Sequence, residues 1–132
     1  MSSVRDGVKA RIDAIEESYE FFLAYAAQGL TDHRASKSGG QLRQFLERME
    51  GGLDGLAESF RTLVRDNGSE PAAAWDDMLD VLARDASAAL AAVRLVAARE
   101  SVGSQLIDNL NANIHLRALL TDLFLVDDLT GG

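Results

Sequence analysis

The pattern of apolar residues divides the chain into four long stretches in which these residues recur at steps of three and four. This spacing places them on one face of an α-helix. Val8, Ile12, Ile15, Tyr19 and Phe22 follow it in the first stretch. The pattern predicts four helices, which cover about residues 3–28, 40–66, 72–100 and 104–129.

The segments between these stretches indicate how the helices are connected. Residues 31–40, TDHRASKSGG, hold no apolar residue larger than alanine and end in two glycines, which is typical of a mobile linker. The turns before residues 72 and 104 are short, so the helices that they join should run antiparallel. The sequence therefore predicts an all-α fold in which residues 1–132 form one domain, an antiparallel up-down-up-down four-helix bundle. The alternative is a pair of helical hairpins that completes its bundle by dimerising.

Three glycines lie together on the polar side of the second predicted helix. They are Gly51, Gly52 and Gly55. Each glycine in an exposed helix interior costs about 1 kcal/mol relative to alanine. Two explanations are open: the helix is bent or broken at this point, or a neighbouring segment packs closely against the bare backbone.

The composition excludes several classes of protein. The chain has no cysteine, which excludes disulfide frameworks, zinc–thiolate sites, iron–sulfur clusters and thiol nucleophiles. A net charge of −8 disfavours binding to the phosphates of nucleic acids. The N-terminal residues carry charges at short intervals, unlike a signal peptide, and no stretch is apolar enough to span a membrane. We therefore expect a cytoplasmic protein with neither a nucleic-acid nor a membrane partner.

The motifs of metal-binding and catalytic helical proteins do not occur in the sequence. A di-iron bundle needs Glu-x-x-His pairs, and the chain has none. His33 lies in the predicted linker, whereas a phosphotransfer histidine lies inside a helix, so we interpret His33 as a solvated loop residue. His115 shares a predicted polar stripe with Asp108, Asn111 and Asp122, which we interpret as a wet helix face instead of a cation site. We expect no metal, no cofactor and no catalytic residue.

A row of polar residues runs along the last predicted helix between two apolar rows. Its members are Asn109, Asn113, Arg117 and Thr121. If both apolar rows are buried, Asn113 and Arg117 are buried too, and a buried guanidinium requires a partner. Glu16 and the hydroxyl of Tyr19 are candidate partners. Three interpretations are open: these residues set the register between helices, pair across a subunit interface, or anchor a ligand.

The third and fourth predicted helices carry more apolar residues than one buried stripe accounts for. Contiguous apolar surface usually marks an interface, and a two-fold dimer that pairs both helices of each subunit would bury it. The candidate interface residues are Val81, Ala88, Ala92, Leu95, Leu116, Leu119, Leu123, Phe124 and Val126.

These features favour a non-catalytic helical interaction module that acts as a homodimer. Such a module could be an assembly factor, an adaptor or a regulatory subunit with a further protein partner. The alternative belongs to a different class: a ligand-binding bundle or small enzyme with a pocket near Tyr19, Asn113 and Arg117.

Overall fold

The structure, a computed structural model, describes residues 2–131 and is entirely helical over this range. The range contains six α-helices, one turn of 3-10 helix at residues 33–35, and no strand. The helices are α1 (Ser2–Ala26), α2 (Lys37–Leu53), α3 (Leu56–Asn67), α4 (Ala72–Ala97), α5 (Ser104–Ala112) and α6 (Ile114–Leu129). The all-α prediction is confirmed. The predicted number of four helices is not found over this range, because the second and the fourth are each broken in two; a break in the second was one of the two explanations of its glycine cluster.

The break between α2 and α3 lies at Gly55. Its φ of +83° falls in the left-handed region, which glycine adopts at little cost. Gly52 marks a close approach instead, since a Cβ atom there would lie 2.8 Å from the Ile15 side chain and 3.1 Å from the Arg11 carbonyl oxygen. The Arg11 guanidinium also donates a hydrogen bond to the Asp54 carbonyl inside the break. Both explanations of the glycine cluster therefore apply, each at a different glycine.

The break between α5 and α6 lies at Asn113, whose ψ of 127° is that of extended chain. The Asn113 Oδ1 atom accepts hydrogen bonds from the N–H groups of His115 and Leu116, at 3.0 and 3.1 Å, so Asn113 caps the N-terminus of α6. Ile107 and Leu116 are both fully buried although they are nine residues apart. At about 100° per residue, one continuous helix would place them on opposite sides. The break allows α5 and α6 both to face the core.

The helices pack side by side around one apolar core. α1 contacts α2, α3 and α5, and α4 contacts α2, α3, α5 and α6. α1 and α2 are antiparallel, because Glu17 pairs with Arg48 whereas Phe21, further along α1, stacks on Phe45, further back on α2. The buried residues of α6 are Leu116, Leu119, Leu120, Leu123 and Val126. They make α6 a core helix along most of its length.

Candidate functional site

The polar row predicted to be buried in the last helix is exposed. Asn109, Arg117 and Thr121 are exposed, and Asn113 is a half-buried cap. The prediction of a buried Asn113 and Arg117 pair is therefore wrong. Its cause is the break at Asn113, which turns the buried face of α6 to the side of Leu116 and Leu119. The row was placed as if the helix were continuous.

Glu16, proposed as a partner for Arg117, lies near a different charge. Burial and the neighbouring Asp127 carboxylate raise the pKa of Glu16. Tyr19 is half-buried, and neither Tyr19 nor Asn113 nor Arg117 lines the clefts at either end of α1. The geometry therefore does not support the predicted pocket near these three residues.

The predicted interface residues fall into two groups. Leu116, Leu119, Leu123 and Val126 are fully buried in the core of the protomer itself, so their assignment to an interface is wrong. Val81, Ala88 and Ala92 are half-buried, and Leu95 and Phe124 are exposed. These five keep their positions at the surface, where an interface role remains a prediction.

A largely apolar strip that also contains two aspartates runs along the outer side of the packed helices α4 and α6. The half-buried residues along this strip are Val81, Asp85, Ala88 and Ala92 from α4 and Ala118 and Asp122 from α6. Exposed large apolar residues at its edges are Leu95, Ile114, Leu125 and Leu129. We call these ten residues the α4–α6 face. On a helical wheel, Phe124 lies about 100° from Leu125 and is not part of this face.

Two carboxyl groups meet in the middle of the α4–α6 face. The carboxyl groups of Asp122 and Asp85 lie within reach of one another, and a hydrogen bond between them requires one of the two to be protonated. The Oδ2 atom of Asp122 is inaccessible to solvent, and within residues 2–131 no N–H or hydroxyl group donates to it. Burial, followed by the contact with Asp85, raises the pKa of Asp122 to about 7. Asp122 was predicted on a wet face, and that prediction is wrong.

Asn111, predicted on the same wet face, is also buried, with 7% of its surface exposed. Both polar atoms of its side-chain amide lack a hydrogen-bond partner in the part of the chain that the structure describes. The helix break at Asn113 explains the error. Because α5 is a separate helix, Asn111 faces the core together with Ile107 and Leu110.

His33 is buried as well, which corrects its interpretation as a solvated loop residue. Its Nδ1 atom accepts a hydrogen bond from the Val102 N–H group at 3.1 Å. Its Nε2 atom lies 3.4 Å from Nε of Arg43, whose guanidinium also donates to the carbonyl oxygens of Ala97 and Arg99 at the end of α4. Burial and the Arg43 charge lower the pKa of His33. The neutral imidazole therefore joins the first connection of the chain to the loop after α4.

A second set of hydrogen bonds closes the same end of the molecule. The Tyr25 hydroxyl donates to the Val102 carbonyl at 2.8 Å, and the Ser104 hydroxyl donates to the Tyr25 carbonyl at 2.6 Å. The Leu30 N–H group donates to Ser104 Oγ, and the Ser104 N–H group donates to the Leu30 carbonyl. Burial raises the pKa of Tyr25. The segment predicted as a mobile linker, residues 31–40, thus contains a 3-10 turn, and α2 begins within it at Lys37.

A cleft of about 990 Å³ opens beside this end, between the C-terminal parts of α1 and α4 and the start of α5. Its lining mixes apolar and polar residues: Ala26, Gly29, Leu30, Thr31, Leu95, Val96, Arg99, Ser101, Gly103, Ser104, Gln105, Leu106, Asp108 and Asn109. Sequence reasoning missed this cleft, because it is formed by loops whose positions depend on the His33 and Tyr25 hydrogen bonds.

Over residues 2–131 the structure shows no group of three or more His, Asp or Glu side chains arranged to hold a metal ion. None of the six helices is both long enough and apolar enough to cross a membrane. Comparison with protein-family models, with curated proteins and with solved structures gives no match to this chain.

Proposed function

We propose that this chain is a non-catalytic helical interaction module, an assembly factor, adaptor or regulatory subunit, that works as a homodimer through the α4–α6 face. The observation that carries the proposal is the exposure of large apolar side chains on that face. Leu95 and Ile114 are 72% and 73% exposed, and Leu125 and Leu129 are 51% and 61% exposed. Contiguous apolar surface of this kind is typical of an interface.

Burial of these side chains would stabilise a dimer. Covering one large aliphatic side chain contributes about 1.5–3 kcal/mol, so four such side chains on each protomer can offset the entropy lost on association. A two-fold dimer presents the same surface from both subunits, so every exposed leucine on the face would be covered once in each. The proposed location is the cytoplasm, as the sequence predicts.

The same proposal includes the bundle topology predicted from the sequence. If α2 with α3, and α5 with α6, each count as one interrupted helix, the contacts of α1 and α4 with both of these units favour an antiparallel up-down-up-down arrangement of four. In such a bundle α4 and the α5–α6 unit are neighbours. They could then present one continuous face to a partner.

Light scattering with one substitution on the face tests the dimer. Because Leu125 lies on the α4–α6 face, Leu125→Glu should convert a species of twice 14.2 kDa into one of 14.2 kDa at low micromolar concentration. Leu23→Glu is the matched control, since Leu23 is a 48% exposed leucine on α1, away from the face. A wild-type protein that is monomeric under these conditions would contradict the proposal.

A second candidate function is supported by the cleft beside α5. Its volume suits a small molecule, and its lining combines apolar residues with Arg99 and Asn109. A ligand-binding protein should show thermal stabilisation by some small anion or apolar compound. Asn109→Trp, which fills the cleft from an exposed position, should abolish that effect, whereas Arg117→Ala should not. Loss of the effect in Arg117→Ala would instead point to the pocket predicted from the sequence.

A further inference from the structure

The charges beside the α4–α6 face are placed for pairing with a second copy of this chain in one orientation. Asp77 lies eleven residues before Ala88 and Arg99 eleven residues after it. Eleven residues make about three helical turns, so all three lie on nearly the same side of α4. Ala98 keeps right-handed helical backbone, which extends this geometry to the start of Arg99. Both Asp77 and Arg99 are exposed.

An antiparallel copy related by a two-fold axis at Ala88 brings opposite charges together. Asp77 then faces the partner's Arg99, and the same pair forms a second time on the other side of the axis. Val81 faces the partner's Leu95 by the same symmetry, because each pair is equally distant from Ala88. A parallel copy would instead set Asp77 against the partner's Asp77. Charge complementarity therefore selects the antiparallel arrangement.

The two copies of α4 can approach each other closely at the centre of this contact. The half-buried alanines nearest the axis, Ala88 and Ala92 on α4 with Ala118 on α6, leave room for another helix. Asp85 lies one turn from Ala88 and contacts Asp122. These two carboxyl groups, the acid pair, therefore lie inside the area that docking would bury. The acid pairs of the two protomers would lie about 9 Å apart along α4. Their charge must therefore be counted in the free energy of association.

The ionisable groups around the acid pair do little to offset its negative charge. Asp85 on α4 is the carboxyl group nearest to Asp122 that affects it. Arg84 on α4 and His115 on α6 are exposed at the borders of the face, and Asp108 on α5 lines the cleft. By the symmetry above, Arg84 faces the partner's Ala92, two turns from the partner's Asp85. Among the residues that the structure describes, neither Asp85 nor Asp122 forms an ion pair with an arginine, lysine or histidine.

We propose, on the basis of the self-association proposed above, that a second copy of this chain docks antiparallel on the α4–α6 face and that the Asp85–Asp122 pair makes this association proton-linked, tighter in acid than in base. When both carboxyl groups are ionised, docking buries two adjacent negative charges on each protomer. When the pair holds one proton, it buries one charge and keeps an internal hydrogen bond.

The direction of the linkage follows from the state of the free protomer. The pKa of Asp122 is already raised to about 7 by burial and by Asp85. Docking removes more water from the pair and raises this pKa further, so the dimer takes up protons. Association is therefore strongest below about pH 7 and weakens as the pH rises above this value toward the pKa of Asp122 in the dimer.

Sedimentation equilibrium at pH 5.5 and pH 8.5 tests the linkage in the full chain. We expect the dimer dissociation constant to be lower at pH 5.5 by about tenfold or more. Asp122→Asn, which cannot ionise, should bind tightly at both pH values and lose most of this difference. Asp85→Asn removes one carboxylate but leaves Asp122 ionisable, so it should lose only part of this difference; it serves as the second variant if Asp122→Asn folds poorly.

Two controls separate the acid pair from other titrating groups. Asp108→Asn removes a carboxylate outside the face, and His115→Gln removes the histidine at its border. Both variants should keep the full pH dependence. If they lose it while Asp122→Asn and Asp85→Asn keep it, the inference is wrong. A wild-type dimer whose dissociation constant does not change with pH also overturns the inference but leaves the proposed function standing, whereas a wild-type monomer at every pH overturns both.

Charge reversal tests the orientation. Asp77→Arg and Arg99→Asp should each weaken the dimer several-fold, because each sets like charges against each other twice. The double variant Asp77→Arg with Arg99→Asp should recover the wild-type dissociation constant, since the pairs are restored with exchanged signs. Additive weakening in the double variant would exclude the antiparallel arrangement.

Discussion

A histidine nitrogen that accepts a hydrogen bond must lose that bond when it is protonated. A neutral imidazole accepts at one nitrogen only, and the shorter contact, with the Val102 N–H group, assigns this role to Nδ1 of His33. Protonation would also add a positive charge beside Arg43, although Asp32, 3.5 Å away, would partly offset it. One buried side chain therefore makes the fold sensitive to acid.

We expect acid destabilisation through His33. Its pKa in the folded chain lies below the ordinary 6.5, so its contribution to stability is fully present above about pH 6.5 and is lost as the pH falls from there. Asp122 acts in the opposite direction, since its raised pKa means that stability is lost as the pH rises through about 7. The comparison therefore belongs in an Asp122→Asn background, where His33→Gln should flatten the pH dependence of the urea midpoint.

His115→Gln provides the matched control, because His115 is exposed. It should leave the pH dependence of unfolding unchanged. Equal flattening by both substitutions would show that the burial of His33 is not its cause.

At the scale of the element, the apolar periodicity predicted that the chain is helical but not where the helices break. The break at Gly55 had a visible signal in the glycine cluster, and there two explanations stayed open because backbone freedom and close packing both favour glycine. The break at Asn113 also left a signal. Ile107 and Leu116 are out of phase on one helix, and an asparagine between them is a natural N-cap. If the segments before and after Asn113 are treated as two separate helices, the apolar pattern predicts that Arg117 is exposed and that Asn111 is buried.

Asn113→Ala should destabilise the protein by about 1 kcal/mol. It removes the two hydrogen bonds that the side chain accepts from His115 and Leu116, although alanine has the higher helix propensity. Asn113→Asp, which retains the cap, should cost much less. Chemical denaturation of both variants checks this, and a stabilised alanine variant would mean that a continuous helix is compatible with the core.

At the scale of the whole molecule, the leucines of α6 divide between core and surface in a way that composition could not reveal. Leu119 and Leu123 are fully buried, whereas Leu125 and Leu129 are exposed. The sequence predicted an excess of apolar surface, but the residues assigned to it depended on the phase of α6. The surroundings of buried His33 and half-buried Asp122 could not be predicted from the sequence for a related reason: their partners, Val102 and Asp85, are brought to them by tertiary packing.

The two classes of leucine should differ in unfolding experiments on the monomer. Leu119→Ala should cost about 2–5 kcal/mol, because it removes core contacts and leaves a cavity. Leu129→Ala should change the stability of the protomer by no more than about 0.5 kcal/mol. Measurements at protein concentrations well below the dimer dissociation constant keep association out of the comparison. Similar losses for the two variants would contradict the assignment of Leu129 to the surface.

The hydrogen bonds around Ser104 and Val102 join residues that are 69 to 77 positions apart in the chain, and so bind two distant loops together. Neither loop can leave its place without breaking the bonds of the other, so the two form one cooperative unit. In native-state hydrogen exchange, the amide protons of Leu30, Val102 and Ser104 should therefore open in the same event, with one shared free energy. The cleft that these loops line would appear and disappear as a whole.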